Sequence, residues 1–220
     1  VVILKAGHSD AGARAVSSHT GSLAGTYTAY LAAFKQAGVI IADTSQELFN
    51  ISNAFANQPL PSGSRVAVIT NAGGPAALAS DSLSENGCTL ADLLPATRDE
   101  LRKHVNPSAQ VNNPIDMLGG ATPAEYGLAT LMCMYDPNVD AVLVIHVPTS
   151  VVDPNQIATE VSKSAKQAEK PILVCLMGDI SIRQPRLIFQ GNGIPVVQFP
   201  EQTGRILSAM AQYRQVKNAP

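Results

Sequence analysis

His19 stands in a run of mostly small side chains, Ser17-Ser18-His19-Thr20-Gly21-Ser22-Leu23-Ala24-Gly25. A neutral imidazole has an ordinary pKa of about 6.5, so near neutral pH it offers a lone pair as a nucleophile. Gly21, Ser22 and Gly25 leave room for a bulky tetrahedral group beside the ring and let the segment move. The same residues also read as a loop whose histidine merely faces solvent. A second constellation, Asn71-Ala72-Gly73-Gly74-Pro75, lies between an apolar run and a helical pattern. Glycines admit a ligand close to backbone N–H groups, and a helix start carries about half a positive charge, a combination suited to an anion. An ordinary tight strand-to-helix turn uses the same residues. In the third, Asn112 to Thr122, Asp116 and the Gly119-Gly120 pair precede a helix for which Thr122 is an N-cap. A connection this long and polar inside a compact domain is more often functional than not.

The remaining histidines are weaker candidates. His146 lies in the apolar run Ala141–Val147 and reads as a satisfied core residue. His104 follows the charged stretch Arg98–Lys103 and reads as helix surface, and His8 near a strand end has at most a positioning role. There is no HExxH or DxDxG pattern, no Gly-Lys-Ser/Thr of a P-loop, no GxGxxG and no GxSxG elbow.

Composition narrows the class. The chain has 220 residues, 45% hydrophobic and 15% charged, with a net charge of -2. That length buries a sizeable core, and the sparse, balanced charge argues against disorder and against an electrostatic nucleic-acid surface. Cys88, Cys133 and Cys175 are widely spaced with no CxxC, as expected of reduced, packed thiols in a cytoplasmic protein. No apolar run is long enough to span a bilayer. The sequence opens on an apolar strand pattern without an initiator Met, which predicts a piece of a longer polypeptide.

Apolar runs alternate with helical patterns. Val1–Leu4 reads as a strand followed by a loop rich in Gly, Ser and Ala. Tyr27, Tyr30, Leu31 and Phe34 then mark a helix stopped at Gly38, Val39–Ala42 a strand, and Thr44 with Glu47 a capping pair. Residues 58–64, rich in Pro, Ser and Gly, read as a linker. Beyond it, strands are expected at 65–70, 88–93, 141–147, 172–177 and 195–199. Helices are expected over 76–85, from a cap at Thr97, after Thr122-Pro123, after Asp153-Pro154 and at the end of the chain. Near-continuous apolar strands separated by helices mean a parallel sheet covered on both faces. Five of them suit the flavodoxin-like order 2-1-3-4-5, whose ligand crevice lies at the carboxyl ends of the first and third strands. Asn71–Pro75 and Pro148–Thr149 are expected there.

Lys5-Ala6-Gly7, Ala11-Gly12-Ala13-Arg14-Ala15 and Ser18-His19-Thr20-Gly21-Ser22-Leu23-Ala24-Gly25 closely resemble the phosphohistidine segment of NDP-forming acyl-CoA synthetases, of the acetate–CoA ligase type within the succinyl-CoA ligase superfamily. The resemblance continues through Val68 to Pro75 and Asn113 to Thr122, in the same order along the chain. It implies an α/β fold in which residues 65–220 form a flavodoxin-like CoA-ligase domain, and residues 1–57 the C-terminal part of a second, similar domain bearing the phosphohistidine loop. It further implies that acyl-CoA and phosphate yield an acyl phosphate, whose phosphoryl group passes to His19 and then to ADP. Thr20, Gly21, Asn71, Gly73, Gly74, Gly119 and Gly120 become the implied phosphate-binding residues. No cofactor is expected on this chain alone. ADP or ATP with Mg²⁺, and CoA, are expected on CoA-binding and ATP-grasp domains supplied by the same polypeptide or a partner subunit. The alternative is the ligand-sensing, non-ligating acyl-CoA synthetase-like region of a protein acetyltransferase.

Overall fold

The computed structural model describes residues 1–20, 26–167 and 169–218. Two parallel sheets organise them. In the smaller, β1 (Val2–Leu4) pairs with β2 (Ile40–Ala42), Ile3 opposite Ile41. Helices α1 (Asp10–Thr20) and α2 (Tyr27–Gln36) lie between them in sequence, and α3 (Ser45–Asn57) follows β2. The larger sheet is built by β3 (Arg65–Thr70), β4 (Thr89–Leu90), β5 (Ile115–Asp116), β6 (Ala141–His146), β7 (Ile172–Leu176) and β8 (Val196–Val197). Between them run α4 (Gly73–Glu85), α5 (Pro95–His104), α6 (Pro123–Tyr135), α7 (Pro154–Ala165) and α8 (Arg183–Gly191), and α9 (Thr203–Asn218) ends the chain.

The strand order is β4-β3-β6-β7-β8, every pair parallel, so the five expected strands take the flavodoxin-like arrangement. The short β5 is an addition, pairing with the end of β3 beyond the reach of β4. Between the two, the Asn113 side chain stands in for a strand: its Oδ1 accepts from Val68 N at 2.9 Å, and its Nδ2 donates to Val66 O and Ala91 O.

Alternate residues of each strand feed opposite cores, which is why the strands read as unbroken apolar runs. Ala67, Ile69, Val142, Val144 and Val174 pack under α5 to α8 with Leu101, Tyr126, Cys133, Ile157 and Phe189. Val66, Val68, Leu143, Ile145 and Cys175 pack under α4 and α9 with Leu83, Leu207 and Met210, and Ile51 and Ala54 of α3 join this second core.

The segment after the first strand, expected as a loop, is helix α1 from Asp10 to Thr20. Ala11, Ala13 and Ala15 are strong helix formers, and Ser9 accepts from Gly12 N through its hydroxyl and from Ala13 N through its carbonyl. The helix expected at 76–85 already starts at Gly73, so the glycine pair forms its first turn rather than a preceding loop. Helix α5 begins at Pro95 in the N1 position, two residues ahead of the expected Thr97 cap. Strand 88–93 contracts to Thr89–Leu90 and 195–199 to Val196–Val197.

Side chains fasten the small sheet and the 58–64 segment onto the larger one. Gln58 accepts from Ile172 N at 2.8 Å and donates to Gly193 O at 2.6 Å. Asp140, buried, accepts from Ser62 Oγ, Arg65 N and the Arg65 guanidinium. Burial pushes its carboxyl pKa up, but these hydrogen bonds outweigh burial and hold it below the ordinary range. Arg205 of α9 donates to Ile41 O of β2 and lies 3.7 Å from Glu47 of α3.

Candidate active site at the carboxyl edge of the sheet

The strand ends of β3, β5 and β6 bring three loops to one edge. Asn71, 6% exposed, follows β3 and clamps the residue after β6: its Nδ2 donates to Val147 O at 2.8 Å and its Oδ1 accepts from Val147 N at 3.0 Å. Its side chain is therefore spent on structure, and what it offers a ligand is the fixed spacing between the two strand ends. Thr70 Oγ1 accepts from Ala72 N at 3.0 Å, making a tight turn into α4. No side chain caps α4, Gly73 and Gly74 are exposed, and Pro75 carries no N–H. The first N–H groups of a helix have no acceptor within it, so at Gly73 and Gly74 the helix start is left exposed and uncapped. A Cβ on Gly73 would lie 3.4 Å from Asp116 Oδ2, which places the first turn of α4 beside the end of β5.

The second loop starts where β5 ends. Met117 N donates to Thr70 O, Leu118 N to Asp116 Oδ1, and Ala121 N to Leu118 O. Leu118 is held in the left-handed region at φ 68, a conformation costly for a branched side chain and found most often where a site needs it. It delivers the exposed Gly119 and Gly120 ahead of α6, which starts with a full capping box between Thr122 and Glu125. Thr122 is thus the structural cap. A Cβ on Gly119 would lie 4.0 Å from Thr149 Cγ2, which places the third loop, after β6, against the second.

His19 and Thr20 are carried separately, as the last residues of α1 in the first unit, and Gly21 lies outside the described residues. Of the two cations in that segment, Arg14 is an exposed residue of α1. Lys5 Nζ sits 5.0 Å from the Tyr30 ring and 6.0 Å from that of Tyr27, and donates to Ala6 O. His8 is exposed beside Tyr27, with ring centroids 6.0 Å apart, and His104 is on the surface of α5, 3.1 Å from Glu100.

His146 departs from expectation. It is 1% exposed, but only half satisfied: Nδ1 lies 3.2 Å from the Tyr126 hydroxyl, while Nε2 is buried without a partner. Burial lowers its pKa to about 4, so it is neutral at physiological pH. The Tyr126–His146 pair escaped the sequence reading because nothing local links α6 to the end of β6; a lone polar residue in an otherwise apolar strand was the one available signal. Burial raises all three thiols, Cys88 to about 11 and Cys175 to about 12, leaving them inert packing groups. Among the described residues no cluster of three or more His, Cys, Asp or Glu could hold a metal ion, and no helix is long and apolar enough to cross a membrane.

A family model described as a Ligase-CoA domain matches residues 66–219, and one described as a succinyl-CoA ligase like flavodoxin domain matches residues 1–55. The chain is 40% identical to the acetate–CoA ligase [ADP-forming] II subunit alpha of Pyrococcus furiosus, over 99% of this chain and 48% of that one. It is 32% identical to the 4-hydroxybutyrate–CoA ligase [ADP-forming] of Nitrosopumilus maritimus, over 100% and 32% respectively. Among solved structures, acetyl-coenzyme A synthetase 1 of Candidatus Korarchaeum cryptofilum, in complex with phosphate and ADP, superposes with a TM-score of 0.91 at 32% identity, covering 98% of this chain and 47% of that one. The chain thus spans about half or less of the length of these relatives.

Proposed function

The chain belongs to the NDP-forming acyl-CoA synthetase family, and from that premise we propose that it carries the phosphoryl-relay part of a reversible ligase converting acyl-CoA, ADP and phosphate to acid, ATP and CoA. Phosphate attacks the thioester carbonyl and CoA leaves as the C–S bond breaks. A ring nitrogen of His19 attacks phosphorus, and the acid leaves as its carboxylate. A terminal phosphate oxygen of ADP then takes the phosphoryl group as the P–N bond breaks, restoring the histidine.

The observation that carries the reading is the open start of α4. Phosphoryl transfer asks a protein mainly for positioning and charge stabilisation. A phosphohistidine brings roughly two negative charges, by analogy with other phosphorylated residues. The exposed N–H groups of Gly73 and Gly74, at a helix end no side chain caps, answer that demand without a basic side chain, and Gly119 and Gly120 border the same edge. A helix start contributes about 0.3–2 kcal/mol toward an anion, depending on burial. Thr20 and Gly21 are the remaining residues assigned to the phosphoryl group. CoA is assigned to a CoA-binding domain, and the nucleotide with its Mg²⁺ to an ATP-grasp domain, on the same polypeptide or a partner subunit. The cytoplasm is the proposed compartment. Nothing favours the acetyltransferase alternative.

The complete enzyme incubated with γ-labelled ATP is expected to yield an acid-labile, base-stable protein adduct that His19→Ala abolishes. Label retained in that variant would reject His19 as the acceptor.

A further inference from the structure

Four side-chain atoms among the described residues are buried without a partner: His146 Nε2, Thr149 Oγ1, Asn155 Oδ1 and Ser162 Oγ. Three of them fall within residues 146–155, the segment that links the end of β6 to the first turn of α7. Buried polar atoms are normally hydrogen-bonded, so three exceptions on one short connection beside a ligand crevice need a physical account.

Their chemistry can be read from the neighbours. The Tyr126 hydroxyl has one proton, donated to Ile145 O at 3.1 Å. His146 Nδ1, at 3.2 Å from the same oxygen, is then the donor, and the tautomer with the proton on Nδ1 leaves Nε2 as a bare lone pair. Burial keeps the ring from protonating, and it pushes the Tyr126 phenol further from ionising, with the Asp116 charge adding to that effect. His146 Nε2 and Asn155 Oδ1 are both acceptors, and Thr149 contributes a hydroxyl. This set repels a carboxylate and leaves an alkyl chain beside unmet lone pairs; it is satisfied by a group that donates hydrogen bonds. The segment is contiguous with the phosphoryl site, since Asn71 holds Val147 and Thr149 borders Gly119.

We propose that the connection from β6 to α7 is an acyl-chain subsite that selects acyl groups bearing a hydroxyl over plain alkyl and dicarboxylic ones, with His146 as the specificity-determining acceptor. This rests on the ligase reading above. The atoms are closed from solvent, while Ser150 and Val151 of the same connection are exposed.

The test measures kcat/KM of the complete enzyme for 3- and 4-hydroxybutyrate against their methyl isosteres, 3-methylbutyrate and pentanoate, and against succinate. One hydroxyacid is expected to exceed its isostere and succinate by about tenfold or more, the scale of a buried acceptor left unmet. In His146→Phe that ratio is expected to fall to about one or below. A hydroxyacid no better than its isostere in either pair, with acids turning over, overturns the subsite; so does a ratio unchanged in His146→Phe. Absence of turnover for any acid would instead reject the ligase reading. Should the variant not fold, nitrogen-15 spectra of the wild-type histidines decide: the Nε2 signal of His146 is expected to shift with the preferred hydroxyacid and not with its isostere. No shift with either, as when ordered water alone fills the site, overturns the proposal.

Discussion

Lowering the pH from about 7.5 to about 5 loads His146 against the fold. Its folded pKa of about 4 lies below the ordinary value of about 6.5 that it regains on unfolding. The native state therefore binds fewer protons across this window, and stability must fall as pH falls. Above about 6.5 the ring is neutral in both states and costs nothing. At about pH 5 the unfolded ring is mostly protonated and the folded one mostly not, a population factor of about 30, or about 2 kcal/mol. That is a sizeable share of the 5–15 kcal/mol that typically separates a native domain from its unfolded chain. The assay is urea unfolding of wild type and His146→Gln at both pH values. Other groups titrate in both proteins, so the change in their stability difference isolates His146. Wild type should lose about 2 kcal/mol more than the variant. Equal losses would mean that the imidazole can protonate where it sits, refuting the burial argument and the neutral ring that leaves Nε2 a bare acceptor.

Asn71→Ala removes both hydrogen bonds to Val147 and should lower stability by about 1–3 kcal/mol, read by urea unfolding, with faster hydrogen exchange at the Val147 amide. Asp140→Asn, which weakens the grip on Ser62 and Arg65, should cost about 1–3 kcal/mol. Because the Asp140 pKa is lowered by folding, its contribution is present above about pH 3.9 and lost as pH falls through the folded value, so acid unfolding curves of the two proteins should converge.

The larger sheet was legible because its signal is local and redundant. Runs such as Val66–Ile69 and Val142–Ile145 are buried on both faces, and no other element tolerates so many β-branched residues in so short a span. Strand order followed from counting these runs and matching five of them, alternating with helices, to the flavodoxin-like order. Short edge pieces were not legible. Ile115–Asp116 pairs through only two positions, and the Asn113 amide that completes this edge contacts residues 22 to 47 positions away. Helix α1 was missed for the opposite reason: Ala, Gly and Ser in one run read equally as loop or helix, and its alanines with the Ser9 cap decide for helix.

The same division runs through the site. Glycines announce themselves, so the helix start at Gly73-Gly74 and the turn at Gly119-Gly120 were visible as types and spacings. What a polar side chain does depends on partners brought by the fold. Asn71 reads as a ligand residue beside glycines, yet Val147 arrives from a strand 76 positions on and takes both ends of its amide. His146 reads as a satisfied core residue, yet Tyr126 satisfies only one of its nitrogens. A polar residue at a strand end is thus ambiguous until its neighbours are counted: the side-chain amide of Asn71 is a structural clamp, and His146 keeps one ring nitrogen without a protein partner.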